Sequence, residues 1–293
     1  MKLLQKLSAA FFLSIFICHS VVAQTPDALM LRFPDVSKDK IVFVFAGDLW
    51  TVSKDGGVAR QLSSPNGQEL FPKFSPDGKT VAFSGNYDGN VDIYTMPSEG
   101  GTAKRLTYHS ATDWVVDWYP DGKNILYRSR MMSPSNRYNQ FFKISVGGGI
   151  PESLPLRIAE LASFNADGRK MAFQFISTEF RTWKRYRGGW TSDIWIYDLE
   201  KNSSEKITDF DGTDAVPMWH GNTIYFMSDR DENKKLNIWA YDITTKKFRQ
   251  VTKFTEYDVK WPSLGPEDIV FENGGQLYLI NLTSENVKPV SVQ

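Results

Sequence analysis

Short apolar segments alternate with turn sequences along most of the chain. Ser-Pro-Asp-Gly-Lys begins at Ser75, and related turns lie at 37–40, 119–123, 165–169, 219–222 and 265–268. Proline presets φ at the first turn position and Asp-Gly supplies the positive-φ step, so these sequences predict tight reversals between strands. An apolar run follows each turn, at residues 41–45, 80–84, 124–128, 170–175, 223–227 and 268–272. The pattern predicts six pairs of antiparallel strands.

A second landmark follows each apolar run: an acidic or amide residue, then an aliphatic or aromatic one, then an aromatic one. It begins at Asp48, Asp92, Gln140, Asp193, Asn237 and Gln276. The differences between these positions are 44, 48, 53, 44 and 39 residues, and a short polar strand closes each copy. Four strands repeated every ~45 residues are typical of a propeller blade, and six blades in a ring bury one another's faces. The predicted fold class is therefore all-β, a six-bladed β-propeller of four-stranded antiparallel blades.

The two landmarks divide residues 24–293 into six blades that form one propeller domain. The predicted blade bounds are 30–64, 68–109, 113–156, 159–210, 214–254 and 257–293. The first blade can begin with a strand over 31–36 and the last can end with a strand over 288–292, so each blade is complete in itself. We therefore expect the ring to close without strand exchange, by side-chain packing between blades one and six.

Residues 1–23 have the pattern of a secretory signal peptide. Lys2 and Lys6 precede an apolar run over 7–18, and the small residue Ala23 precedes the expected cleavage site. The run is shorter than the ~20 residues that span a bilayer comfortably, although an uncleaved anchor is the alternative. We expect export to the periplasm or the extracellular space, without stable membrane insertion after cleavage.

Composition narrows the classes of function. The 293 residues include 34 Lys+Arg, 34 Asp+Glu and one cysteine, Cys18, which cleavage would remove. Balanced charge argues against nucleic-acid binding, which needs a net basic face. The sequence has neither a G-x-S-x-G elbow nor an H-E-x-x-H zinc motif, and His109 and His220 fall in predicted links and turns. It therefore predicts no catalytic residue, no metal site and no cofactor.

One group of basic and aromatic residues lies outside the repeated landmarks. Its candidate peptide-binding residues are Arg128, Arg130, Arg137, Arg185 and Arg187. At the mouth of a propeller, guanidinium groups could hold the C-terminal carboxylate of a peptide through bidentate hydrogen bonds. In the alternative interpretation, the interleaved aromatics pack these insertions onto their blades, and the cations are solvated or paired with acids.

The turn and the Asp-Ile-aromatic strand resemble the propeller repeats shared by TolB, the dipeptidyl-peptidase propellers and the tricorn peptidases. The stretches at 128–141 and 180–190 look like third- and fourth-blade insertions of bacterial tricorn-type serine peptidases, and the resemblance covers residues 29–293. In those enzymes, a six-bladed propeller precedes a seven-bladed propeller, a PDZ domain and the serine-peptidase core that holds the catalytic residues. The chain ends in or just past a strand, so we expect it to be the front part of a longer protein.

The resemblance implies a non-catalytic propeller domain of an exported tricorn-like serine peptidase, which is a hydrolase that carries out proteolysis. Its implied role is to gate or channel peptides to or from a downstream protease core. The implied partners are peptides and the downstream protease domains, with a homo-oligomer of the parent as a further expectation.

Two other functions stay open at this point. One is a free-standing, TolB-like periplasmic propeller that binds proteins, although TolB-like proteins place a small domain before the propeller and only residues 24–30 are available here. The other is a propeller enzyme such as a glycosidase, which needs two carboxylates about 5–10 Å apart. Candidates to line the channel are Lys73, Asp117, Ser163, Met218 and Lys260, but a shift of one residue would reverse their facing.

Overall fold

A computed structural model describes residues 27–293, except residues 136, 178, 180, 182 and 183. The predicted signal peptide, residues 1–23, lies outside the described residues. The described part of the chain forms 24 strands in six four-stranded antiparallel sheets. This confirms the predicted all-β, six-bladed propeller. No helix in this part of the chain is both long and apolar enough to cross a bilayer.

The strands of each blade follow one another in chain order from the axis outwards. Blade one contains β1 (Arg32–Val36), β2 (Lys40–Phe45), β3 (Asp48–Ser53) and β4 (Arg60–Gln61). Blade two contains β5 (Gln68–Phe74), β6 (Thr80–Asn86), β7 (Val91–Pro97) and β8 (Lys104–Arg105). Blade three contains β9 (Asp113–Trp118), β10 (Asn124–Ser129), β11 (Gln140–Ser145) and β12 (Glu152–Ser153).

The second half of the ring repeats this arrangement. Blade four contains β13 (Leu161–Phe164), β14 (Lys170–Gln174), β15 (Trp195–Asp198) and β16 (Ser203–Lys206). Blade five contains β17 (Asp214–His220), β18 (Thr223–Ser228), β19 (Asn237–Asp242) and β20 (Phe248–Gln250). Blade six contains β21 (Lys260–Leu264), β22 (Asp268–Asn273), β23 (Gln276–Asn281) and β24 (Val287–Val290).

A side-chain hydroxyl just after the outer strand explains why the repeat closes with a polar residue. Thr107 Oγ1 accepts a hydrogen bond of 2.9 Å from the backbone N–H of Ile93 on the third strand. The same bond recurs in three other blades, from Leu49 to Ser63, Ile194 to Thr208 and Ile238 to Thr252. Because buried N–H groups need partners, each hydroxyl fixes the outer strand against the third strand.

The apolar core lies between neighbouring blades. Val44 and Leu49 of blade one pack in one cluster with Val81 and Phe83 of blade two, and Phe83 is wholly buried. Five further clusters are distributed around the ring. Since a single four-stranded sheet cannot cover its own faces, burial between blades stabilises the ring.

Main-chain hydrogen bonds join blades one and six. The N–H of Gly57 donates to Ser291 O at 2.9 Å, and the N–H of Gln293 donates back to Gly57 O at 2.9 Å. Ala28 N–H also donates to Val292 O at 2.6 Å. Each sheet consists of four consecutive strands, so closure without strand exchange is confirmed. The expected side-chain packing between blades one and six is also present, because their buried residues share one cluster. The backbone pairing adds to this packing and was not predicted from the sequence. The β4 region of blade one and the chain end after β24 approach closely enough for their backbones to pair.

The positions of the connections define a loop face. In an antiparallel meander, successive connections alternate between the two ends of the sheet. The loops between second and third strands and the blade-to-blade connections therefore share one end of the propeller, called the loop face here. The described residues of two second-to-third-strand loops, 130–139 of blade three and 175–194 of blade four, lie on it.

Candidate functional site

The innermost strands of all six blades surround an axial cavity of about 60 Å³. Its lining residues include Lys73, Asp117, Ser163, Met218 and Ser263. Four of the five proposed channel residues therefore line this cavity. The fifth, Lys260, instead lines two cavities away from the axis.

Backbone bulges aim hydrophobic side chains at the axis. Phe33, Phe71, Val216 and Trp261 each precede a proline, and their φ angles are 50, 53, 53 and 46°. A non-glycine residue with positive φ is unfavourable, and such strain persists only where surrounding contacts impose it. Part of the compensation comes from the preceding blade, because Glu272 accepts the N–H of Phe33 at 2.7 Å and Gln174 accepts that of Val216 at 2.6 Å.

Aromatic rings from four blades meet at the top of the axial cavity. The ring centroids of Phe33 and Phe71 are 4.4 Å apart, and those of Phe33 and Trp261 are 4.9 Å apart. Phe71 also lies 5.4 Å from Trp261 and 5.4 Å from Trp114. These four residues are called the aromatic constriction. Because Trp114 and Trp261 also line cavities on the loop face, the constriction lies between that face and the axial cavity.

Charged groups line the cavity beyond the constriction. Lys73 Nζ lies 3.7 Å from Asp35 Oδ1, and Ser263 hydrogen bonds both side chains. Asp35 Oδ2 accepts the N–H of Phe74 at 2.6 Å, yet burial raises the pKa of Asp35 above its ordinary value. Burial also raises the pKa of Asp117 to about 6, against the opposing effect of Lys73. Lys73 in the cavity wall therefore interacts with two carboxyl groups that are difficult to ionise, of which Asp117 also lines the cavity.

Three of the five predicted arginines come together on the loop face. Arg128, Arg130 and Arg137 line one cavity of about 340 Å³, called the arginine pocket. Arg130 and Arg137 are exposed, and the Arg137 guanidinium lies 4.1 Å from the ring centroid of Trp190. Stacking on an indole orients a guanidinium while leaving its N–H edge available to a ligand.

Arg128 differs from the other two because it is committed to a buried ion pair. Its Nη1 lies 2.6 Å from Glu160 Oε2, and the two side chains are only 3% and 9% exposed. Asn139 also donates to both Glu160 oxygens, at 3.1 and 3.0 Å. This geometry makes Arg128 part of the wall of the pocket.

The other two predicted arginines lie outside the arginine pocket. Arg187 Nη1 is 3.0 Å from Asp229 Oδ2, and its guanidinium lies 5.3 Å from the ring centroid of Phe210. Arg185 is exposed, and its Nε donates to Lys234 O at 3.2 Å. The five predicted residues therefore form two groups on the loop face.

A periodic acid, not singled out from the sequence, supports these loops. It lies within two residues of the start of the innermost strand, at Glu69, Asp113, Glu160, Asp214 and Asp258. Glu69 accepts the N–H of Leu49 at 3.0 Å and Asp258 accepts that of Leu236 at 3.1 Å, so both tie one blade to the preceding one. Position differences of 44, 47, 54 and 44 residues would have identified this acid as a third landmark.

No group of three or more potential metal-ligating side chains occurs among the described residues of the propeller. The loop-face cavities are lined mostly by arginines, lysines and aromatic side chains, and acids in their walls pair with some of these cations. Their arrangement is suited to binding anions and apolar groups.

The sequence and fold also match known proteins. Residues 28–286 match the family model described as the tricorn protease N-terminal beta propeller domain. The tricorn protease homolog of Saccharolobus solfataricus is 28% identical over 266 residues, covering 89% of this chain and 24% of the relative. The tricorn protease of Thermoplasma acidophilum is 30% identical over 272 residues, covering 90% of this chain and 25% of the relative.

Solved structures give the same result. A crystal structure of the tricorn protease superimposes with a TM-score of 0.78 at 28% identity, covering 90% of this chain and 26% of that one. The chain thus spans about a quarter of the length of the curated relatives it matches. The resemblance inferred from the repeats is confirmed: the chain belongs to the family of tricorn protease N-terminal β-propeller domains.

Proposed function

We propose that this propeller is a non-catalytic domain of an exported tricorn-like serine peptidase and that it gates the passage of peptides along its axis. Its proposed partners are peptides and the protease domains or subunits that act on them. A homo-oligomer of the parent stays a prediction. Family membership supports the link to a protease, and the aromatic constriction carries the proposal of a gate.

The dimensions of the axis support a gate that must open. Ligand cavities in proteins usually measure about 300–1,000 Å³. The axial cavity of about 60 Å³ is far smaller, and Phe33, Phe71 and Trp261 are in mutual ring contact above it. A peptide could pass only if these rings changed rotamer or the bulges that carry them moved. The constriction would then discriminate between an open and a closed channel.

The arginine pocket supports a role in holding peptides before or after passage. At about 340 Å³ it is within the range of ligand cavities, and it lies on the same face as the constriction, with Trp114 in the walls of both. Arg137 is oriented by Trp190, and Arg130 has no carboxylate partner among the described residues. We assign Arg130 and Arg137 to the C-terminal carboxylate of a peptide and a structural role to Arg128.

The gate can be tested in the parent peptidase with Phe33→Ser. Removing this ring should widen the axis, and release or entry of peptides longer than about six residues should accelerate more than that of tripeptides. Phe45→Ser is the matched control, since Phe45 is an exposed phenylalanine of the same blade that contacts Trp50 away from the axis. Identical product lengths and rates in wild type, Phe33→Ser and Phe45→Ser would overturn the gate.

The parent itself is tested by the mass of the native polypeptide in a periplasmic extract, detected with an antibody to this segment. A band far larger than a 293-residue chain supports a multidomain peptidase. A band of that size or slightly smaller in the same extract would instead favour the free-standing, TolB-like binding propeller. Absence from the extract, with the protein retained in the cytoplasm, would contradict export.

A further inference from the structure

A short segment of the blade-four insertion crosses over blades five and six. Lys184 forms an ion pair with Asp258, and Arg187 forms one with Asp229 at 3.0 Å. Between them, Arg185 Nε donates to Lys234 O at 3.2 Å. Residues 184–187, called the strap, are therefore fixed at three points to elements that follow them by more than 40 residues in sequence.

A cavity of about 100 Å³ lies beneath the strap. Its floor is apolar and is formed by Met227, Leu236, Val259 and Trp261, while Tyr186 of the strap adds a further wall. Met227 and Val259 are almost completely buried, so the floor is part of the core between blades five and six. The side chains that surround this floor thus leave an apolar pocket roofed by the strap.

The rim of this strap pocket has a surplus of positive charge. Asp258 and Asp229 are already paired with Lys184 and Arg187. Glu179 accepts hydrogen bonds from Gln174 at 3.0 Å and from Ser177 at 2.8 Å.

The lysines and arginines that also line the pocket are Arg181, Arg185, Lys234 and Lys260. With Lys184, the pocket lining has five cations against the three acids, and this excess of positive charge favours an anionic or carbonyl-rich ligand.

The strap pocket adjoins the arginine pocket, because Arg181 lines both. We infer that the strap pocket binds an apolar side chain near the C-terminus of the peptide whose carboxylate reaches Arg130 and Arg137. This inference rests on the proposed binding of peptides at the loop face and adds a preference for their sequence. Charge complementarity at the rim and the shared wall favour a peptide over an uncharged apolar ligand.

The volume narrows the class of side chain. An apolar protein cavity of about 150 Å³ is known to accommodate benzene. A pocket of about 100 Å³ is smaller, so it suits leucine, valine or methionine better than phenylalanine or tryptophan. The peptides selected would thus be those with a medium-sized aliphatic residue close to the carboxyl end.

Calorimetric titration of the chain with acetylated tripeptides tests this preference. Leucine, serine and tryptophan are placed in turn at each of the three positions, with a free carboxylate. At one position, leucine should bind about tenfold or more tightly than serine, because one or a few methylene groups in a fitted pocket give this range. Tryptophan should bind no better than serine at that position.

Variants locate the effect in the strap pocket. Leu236→Gln should reduce the preference for leucine to less than about threefold, whereas Leu199→Gln, a half-buried leucine on the opposite face, should leave it unchanged. Lys234→Gln should weaken every peptide, and Lys247→Gln, an exposed lysine outside the pocket, should not. If Leu236→Gln does not fold, the ¹³C-methyl NMR signal of Met227 in the wild-type chain tests the location instead. Only a peptide with leucine should shift this signal.

The outcomes distinguish the strap pocket from the proposed function, that is, the axial gate and peptide binding by the arginine pocket. Equal binding of leucine and serine at all positions, or an unshifted Met227 signal in the leucine complex, overturns the strap pocket alone. A leucine preference with unchanged passage in the Phe33→Ser parent supports the pocket and overturns the gate. No binding of any peptide at millimolar concentration overturns the strap pocket and peptide binding by the arginine pocket together.

Discussion

Arg128 of β10 and Glu160, which precedes β13, form a buried ion pair between blades three and four. The Nη1 to Oε2 distance is 2.6 Å, and the two residues are 32 positions apart in the sequence. Each carboxylate oxygen of Glu160 also receives a hydrogen bond from Asn139. Because its carboxylate oxygens all have hydrogen-bond partners, the buried pair fixes the base of the blade-three insertion. It thereby also fixes the position of the arginine pocket.

Removing one partner of this pair should destabilise the propeller strongly. Arg128→Met leaves the Glu160 carboxylate buried without its cation, which typically costs about 3–5 kcal/mol. Equilibrium denaturation should report that loss in the free energy of unfolding, and Arg128→Met/Glu160→Leu should recover much of it.

The matched control is Arg169→Met. Arg169 pairs with Asp167 at 2.9 Å, but both side chains are about half exposed, so its loss should cost far less than the loss of Arg128. Equal destabilisation by Arg128→Met and Arg169→Met would mean that the Arg128 pair has no special structural role.

Asp117 should make the stability of the propeller depend on pH. Burial raises its pKa in the folded state to about 6, from 3.8 in its ordinary state, so the folded protein retains the proton over this interval. The contribution of Asp117 to the free energy of unfolding is therefore most favourable below about pH 4. It falls by about 2 kcal/mol as the pH rises from about 4 to about 6. Asp117→Asn should remove this component in denaturation curves measured from pH 4 to 7.

The control for that titration is Glu232→Gln, which changes an exposed carboxylate on the loop face. The pH dependence of this variant should match that of the wild type. If Asp117→Asn retained the wild-type slope between pH 4 and 6, the axial carboxyl group would be ionised like an exposed one.

Gly56 should be necessary for closure of the ring. Its φ is +87°, and a Cβ atom placed there would lie 2.5 Å from Ser291 O, at the junction of blades one and six. Gly56→Ala thus combines backbone strain with a clash against main chain, and we expect a loss of about 2–4 kcal/mol. Thermal unfolding provides the measurement.

Gly148→Ala separates the two causes. Gly148 has φ +90°, but an added Cβ would meet nothing within 4 Å, so this variant should lose only about 1 kcal/mol. A similar loss in both variants would show that the contact at Ser291 O contributes nothing to closure.

The features that the sequence predicts well are those encoded within one repeat. The bond between Thr107 and Ile93 joins the third and outer strands of one blade, and the spacing had already placed these two strands in the same sheet. The facing of Phe33 and Phe71 was not predictable in this way, because a bulge shifts the register within each innermost strand. The role of Arg128 also depended on a partner in the next blade, which no local pattern indicates.

Trp190 should contribute to peptide binding through the orientation of Arg137. The Arg137 guanidinium lies 4.1 Å from the ring centroid of Trp190. Such a contact at a partly exposed site stabilises by about 0.5–1 kcal/mol. Trp190→Leu keeps every positive charge, yet it should weaken an acetylated tripeptide with a free carboxylate by about two- to fivefold. The corresponding peptide amide should bind the wild type and the variant equally, because it lacks the anion.

Arg137→Lys should weaken binding of the peptide acid by a similar factor, since an ammonium cannot make the bidentate contact. Arg169→Lys, on the opposite face, should leave binding of the peptide acid unchanged. If the acid and the amide bind wild type with equal affinity, the arginine pocket does not recognise the carboxylate, and Arg137 and Trp190 only pack the two insertions together.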